Sequence, residues 1–154
     1  MNSVTSKKFD TKDLTLTALM LAITAILIFT PIGMIRISPV VSITLAHIPI
    51  LISAIVLGLK SGLIVALFFG VLSMYLAFTQ PSGVLDPFFR NPLISILPRL
   101  LIPITTYYSY KLFSKVFKSI NKIKLPEILS IAIGNLTNTF GVYIMLYLIY
   151  AREI

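Results

Sequence analysis

Long apolar blocks separated by short polar connections make up almost the whole chain, and each block is close to the length of a helix that crosses a bilayer. The pattern predicts five helical spans, at about 14–30, 44–59, 63–78, 92–112 and 127–150. Thr11 or Asp13 is a plausible N-cap for the first, and Pro31-Ile-Gly33 breaks it. Between the first two blocks, the residues from Ile35 to Ser42 alternate loosely, as in a short extended segment or hairpin rather than a helix. Gly58-Leu-Lys60-Ser-Gly62 makes a tight turn between the second and third spans, both of which are short for a bilayer. The fourth block follows a polar loop, Thr79 to Asn91, and contains Pro98 and Pro103, which should kink the helix or free backbone carbonyls. Lys111, Lys115, Lys118, Lys122 and Lys124 then form a basic connector of amphipathic look.

Composition agrees with the pattern. Of 154 residues, 57% are hydrophobic and 12% charged, which lies outside the soluble globular range. The expected fold is an all-α integral membrane bundle occupying residues 1–154 as a single domain, with no room for a separate soluble unit. Cysteine is absent, which excludes disulfides, iron–sulfur clusters and thiol chemistry. The polar N-terminus leads into an apolar run too long for a signal peptide, so it reads as a retained first helix.

The net charge of +8 does not indicate nucleic acid, because the basic residues flank apolar runs instead of covering a folded polar surface. A cytoplasmic N-terminus places Lys7, Lys8, Lys12, Lys60 and the basic connector on the same inner side. The chain is therefore expected to be a multi-pass protein of the cell membrane, with residues 34–43 and 79–91 facing outward. The connector itself reads as a topology signal and a contact for anionic lipid.

Arg99 is the residue with most to explain. It lies seven positions after Pro92, roughly 10 Å along the fourth span, where an ionisable side chain marks a functional site by default. The acids are Asp10, Asp13, Asp86, Glu127 and Glu153, and none is in the middle of an apolar run. Asp86 can pair with Arg90 or with Arg99; if Arg90 takes it, a carboxylate from outside the protein becomes a partner for Arg99. The alternative is that Arg99 snorkels to the headgroups or bonds carbonyls freed by Pro92 and Pro98.

With the orientation above, Arg36, His47, Arg90, Asn91, Ser95 and Arg99 fall in the outer half of the bundle. Asn135 and Asn138, three apart on the last span, share a face there, with Tyr143, Tyr147 and Tyr150 further out. Cations, amides and aromatic rings converging between helices describe a pocket for a small polar anion. The asparagines serve equally as interhelical hydrogen-bond partners, and the tyrosines as an interfacial belt. A single histidine gives no basis for a metal site, and no catalytic constellation or phosphate-binding glycine loop is present. Neither enzymatic activity nor a cofactor is expected. Ala18, Ala22 and Ala25 share one face of the first span, where small residues allow another helix to approach closely, in this protein or in a partner.

Three stretches together resemble a known family. Ile43-Thr-Leu-Ala-His-Ile-Pro49, Phe88-Phe-Arg-Asn-Pro-Leu-Ile-Ser-Ile-Leu-Pro-Arg99 and the pair Ala18 and Ala22 are similar to those of the substrate-binding S components of energy-coupling factor (ECF) vitamin transporters, in the group where pantothenate is a common ligand. The resemblance covers nearly the whole chain. It implies a high-affinity membrane subunit of an ABC-type vitamin importer that binds its vitamin near the outer surface. It also implies that the alanine face docks on a transmembrane T component carrying two cytoplasmic ATPases, and that transport involves toppling of the S component in the membrane. Members of the family have six helices, and here the expected sixth is missing. Another vitamin or cofactor (pyridoxine, folate, cobalamin), a lone secondary carrier and a non-transporting membrane scaffold are the competing readings.

Overall fold

In the computed structural model, residues 10–36, 42–80, 86–117 and 124–151 are described, the side chains of residues 34, 36 and 42–44 excepted. Five helical segments and one small hairpin account for them. Helix α1 (Thr11–Phe29) is capped by Asp10, one residue before the expected caps; its carboxylate accepts from the Thr11 N–H at 2.8 Å, while Asp13 lies in the first turn and favours the helix dipole. After a 3₁₀ turn at Pro31–Gly33, strands β1 (Met34–Arg36) and β2 (Ser42–Thr44) pair antiparallel, with Ile35 opposite Ile43. The alternating stretch is thus a hairpin.

Helix α2 (Ile48–Ile52) starts four residues later than its expected span because Thr44 belongs to β2 and Pro49, which lacks an N–H, stands in the first turn. It continues as a π-helical turn, Ser53–Leu57, closed by the Gly58 N–H on the Ser53 carbonyl. Gly58 has φ +101°, a conformation that a side chain resists, and it lets the chain reverse at once into α3 (Leu59–Thr79). Helix α4 (Pro92–Val116) absorbs the start of the basic connector, so Lys111 and Lys115 are helical; Lys118 and Lys122 lie outside the described residues. Helix α5 (Leu125–Tyr150) completes the fold, with Lys124 just before it.

Ala46, Ile50, Leu51, Val65, Ala66, Phe69 and Ile102 form the core where α2, α3 and α4 meet. Glycines allow the close approaches. A side chain on Gly62 would come within 2.9 Å of the Pro103 ring, and one on Gly141 within 3.1 Å of Pro98. The two prolines that threatened α4 thus serve as its packing knobs on α3 and α5. Gly134 in turn presses on Thr106 and Leu51.

Outward faces are apolar: Leu14, Ile26, Leu67, Val71, Phe140 and Leu148 are all exposed. Helices α1, α3 and α5 are each long and apolar enough to cross a membrane, and Ile48–Leu57 is a shorter apolar helix. A bundle that presents apolar residues on both its inner and outer surfaces is built for lipid. The protein is an all-α membrane protein with one two-stranded appendage.

Candidate functional site

The loop and helix start from Asp86 to Arg99 are ordered by local rules. Asp86–Arg90 forms a 3₁₀ turn, Asn91 caps α4 by accepting the Leu93 N–H at 3.1 Å, and Pro92 occupies the first turn, where its missing N–H has no cost. Arg90 turns back to α3. Its Nε donates to the Ala77 carbonyl at 3.2 Å and its guanidinium lies 5.7 Å from the centre of the Phe78 ring, so it serves the C-terminal end of that helix. Asp86 is also engaged within the protein.

Arg99 points the other way, into the bundle, and is only 6% exposed. Pro98 has no N–H, so the carbonyl four residues before it, that of Ile94, has no helical donor. Arg99 Nη1 supplies one at 3.0 Å. Its guanidinium is flanked by two rings, with centres 4.7 Å away for Phe89 and 5.6 Å away for Phe69, which favour a cation in the absence of water. The carbonyl freed by proline is therefore one partner, as one of the two sequence readings anticipated. Arg99 Nε remains buried and unpaired.

His47 at the start of α2 hydrogen-bonds through Nε2 to the side-chain oxygen of Asn135 on α5. An N–H at Nε2 makes Nδ1 an acceptor, and Nδ1 is buried without a partner. Asn138 falls on the stripe of α5 between Gly134 and Gly141 that faces α4, and its Oδ1 is likewise buried and unpaired. Three unpaired buried polar atoms, one donor and two acceptors, thus arise on α4, α2 and α5. Water-excluded groups in this condition cost about 1–3 kcal/mol each, and such a cost is commonly tolerated where a ligand completes the bonds.

The structure joins His47 to Asn135 across the start of α2 and α5, with Asn138 on the neighbouring turn of α5, and buries Arg99 on α4 between Phe69 and Phe89. It engages Arg90 and Asn91 in holding the ends of α3 and α4. The backbone of Arg36 belongs to β1, and its side chain lies outside the described residues. Phe69 and Phe89, which flank the guanidinium, escaped the sequence reading; no local signal marks Phe69, whereas Phe89 stands in the quoted motif. At the C-terminal end of α5, Tyr150 meets Phe88 edge to face with centres 4.6 Å apart.

Ala18 and Ala22 lie on the outer surface and Ala25 is half-buried; α1 turns Thr17 and Thr24 inward, with Thr17 donating to Ser61 on α3 at 3.0 Å. Among the described residues no cluster of three His, Cys, Asp or Glu could hold a metal ion. The site offers hydrogen bonds and one delocalised cation, which is equipment for binding.

Residues 12–153 match the family described as "ECF transporter, substrate-specific component". The chain is also similar to the pantothenate transporter PanT of Leuconostoc mesenteroides, with 29% identity over 96 residues, which is 60% of this chain and 47% of that protein. The matched stretch spans about half the length of that relative. With all but the first eleven residues and the last one inside the family match, this membrane bundle belongs to the substrate-specific components of ECF transporters.

Proposed function

We propose that this chain, residues 1–154 acting as one membrane domain, is the substrate-binding subunit of an ECF-type importer and that its substrate is the vitamin pantothenate. The observation that carries the reading is Arg99, a buried guanidinium with an unpaired Nε, in a bundle that also leaves two acceptors unpaired at His47 Nδ1 and Asn138 Oδ1. A carboxylate answers the first, and hydroxyl or amide N–H groups answer the others. Pantothenate carries all three group types, and the printed name of the Leuconostoc relative supports the same choice. In this reading Arg99 binds the carboxylate, Asn135 orients His47, and Arg36, Arg90 and Asn91 line the outer approach.

The exposed alanines Ala18 and Ala22, with Ala25, form the docking face for a T component coupled to two cytoplasmic ATPases. The N-terminus is cytoplasmic, which keeps the lysines on the inner side. The chain binds and hands over substrate; it is not itself an enzyme.

Mass spectrometry of small molecules released from the protein purified out of cells grown in rich medium tests the substrate, with thermal shift against a vitamin panel as the second measurement. Pantothenate release together with stabilisation by pantothenate is the expected result. Stabilisation by a different vitamin would keep the subunit role and reassign the pocket. Absence of binding by every vitamin in the panel would favour the scaffold reading, in which the Arg99 bond to the Ile94 carbonyl is purely structural.

A further inference from the structure

A second cluster lies at the other end of α4, away from the Asp86–Arg90 turn. Tyr108, Lys111, Leu112 and Lys115 recur at spacings of three, four and seven residues, so they share one helix face, and they line a shallow cavity of about 180 Å³. Tyr108 and Leu112 are 58% and 59% exposed, and both lysines are exposed as well. Neither lysine makes an ion pair or hydrogen bond among the described residues.

We propose that this face of α4 binds the head group of an anionic phospholipid, with Lys111 and Lys115 on the phosphate, the Tyr108 hydroxyl beside them and Leu112 against the start of an acyl chain. Three features converge on that occupant. Lys111 and Lys115 stand four residues apart on one helix face, where like charges repel, and an anion shared between them removes the repulsion. They fall in the last two turns of the helix, the end where its dipole favours cations. Between them lies an exposed leucine, and the apolar surface continues to Val116, which is 66% exposed. A free phosphate would satisfy the lysines and leave that surface in water, whereas a lipid covers both. The inference is independent of which vitamin the protein binds.

The test uses the full chain in nanodiscs of phosphatidylcholine with or without phosphatidylglycerol, followed by native mass spectrometry of the lipid retained. The K111Q/K115Q variant is compared with K12Q/K60Q, which removes the same charge from α1 and α3, and with K111R/K115R. Both leaflets of a nanodisc carry the anionic lipid, so the outcome does not depend on orientation. Retention of phosphatidylglycerol over phosphatidylcholine is expected for the wild type, K12Q/K60Q and K111R/K115R, with a loss of roughly ten-fold or more in K111Q/K115Q. Equal losses in the two glutamine variants would overturn the site in favour of bulk charge. No preference in the wild type would overturn it outright, and displacement of the lipid by inorganic phosphate would reassign the cluster to a free anion.

Discussion

The two flanks of α4 are built differently. On the α3 flank, the helices close directly on each other: the Ser95 hydroxyl donates to the Gly70 carbonyl at 2.9 Å, and the Pro103 ring sits on Gly62. The flank that meets α5 and the start of α2 keeps His47 Nδ1, Thr106 Oγ1 and Asn138 Oδ1 buried and unpaired. Folding alone favours the first arrangement, since a buried polar atom without a partner subtracts from stability. The second is the arrangement that the proposed binding site calls for. Arg99 stands between the flanks, with its Nη1 bonded to its own helix and its Nε unpaired.

The contrast can be broken most severely at Gly62. Replacing it by leucine drives a side chain into Pro103 and Ala54 at a contact that already leaves only 2.9–3.0 Å for a single carbon. The Gly62→Leu protein should lose about 3 kcal/mol or more of stability. Unfolding in detergent monitored by circular dichroism measures this, and an unchanged transition would mean that α3 and α4 are not locked there.

A change at Asn138 sharpens the comparison, because stability and function should move in opposite directions. Asn138→Leu removes an unpaired buried amide oxygen, so the ligand-free protein should gain about 1 kcal/mol, while pantothenate affinity should fall about 100-fold as a hydrogen bond is lost. Isothermal calorimetry and thermal melting read the two effects. Loss of both stability and affinity would place Asn138 among the structural contacts. This substitution is a cleaner probe than one at Arg99, whose removal also strips the Ile94 carbonyl of its donor.

The smallest effect is expected at Ser95. Ser95→Ala leaves the Gly70 carbonyl without that donor and should cost about 1–2 kcal/mol, with ligand affinity unchanged within error. A large drop in affinity would show that the α3 flank also shapes the pocket.

Much of the fold was legible from local rules. Proline and glycine marked the helix ends at Pro31–Gly33, Gly58 and Asn91–Pro92, and two-residue alternation marked the hairpin. Even the fate of the Ile94 carbonyl was readable, since Pro98 and Arg99 are both within five residues of it. The cap of α1 was misplaced by one residue because Asp10, Thr11 and Asp13 are all competent caps and only the backbone conformation chooses among them.

The amino-acid sequence by itself determined a membrane bundle, the order of its helices, the stretches that carry its polar chemistry and the resemblance that names its family. Tertiary structure alone decided which polar groups meet. His47 and Asn135 are 88 residues apart and Thr17 and Ser61 are 44 apart, and no short-range rule relates them. Helices that are apolar all round do not announce which face turns inward, because lipid and protein core reward the same side chains. Rotation and stagger are set instead by the contacts of Gly62, Gly134 and Gly141 with their neighbours, and those contacts decide which hydrogen-bonding atoms are satisfied and which stay unpaired.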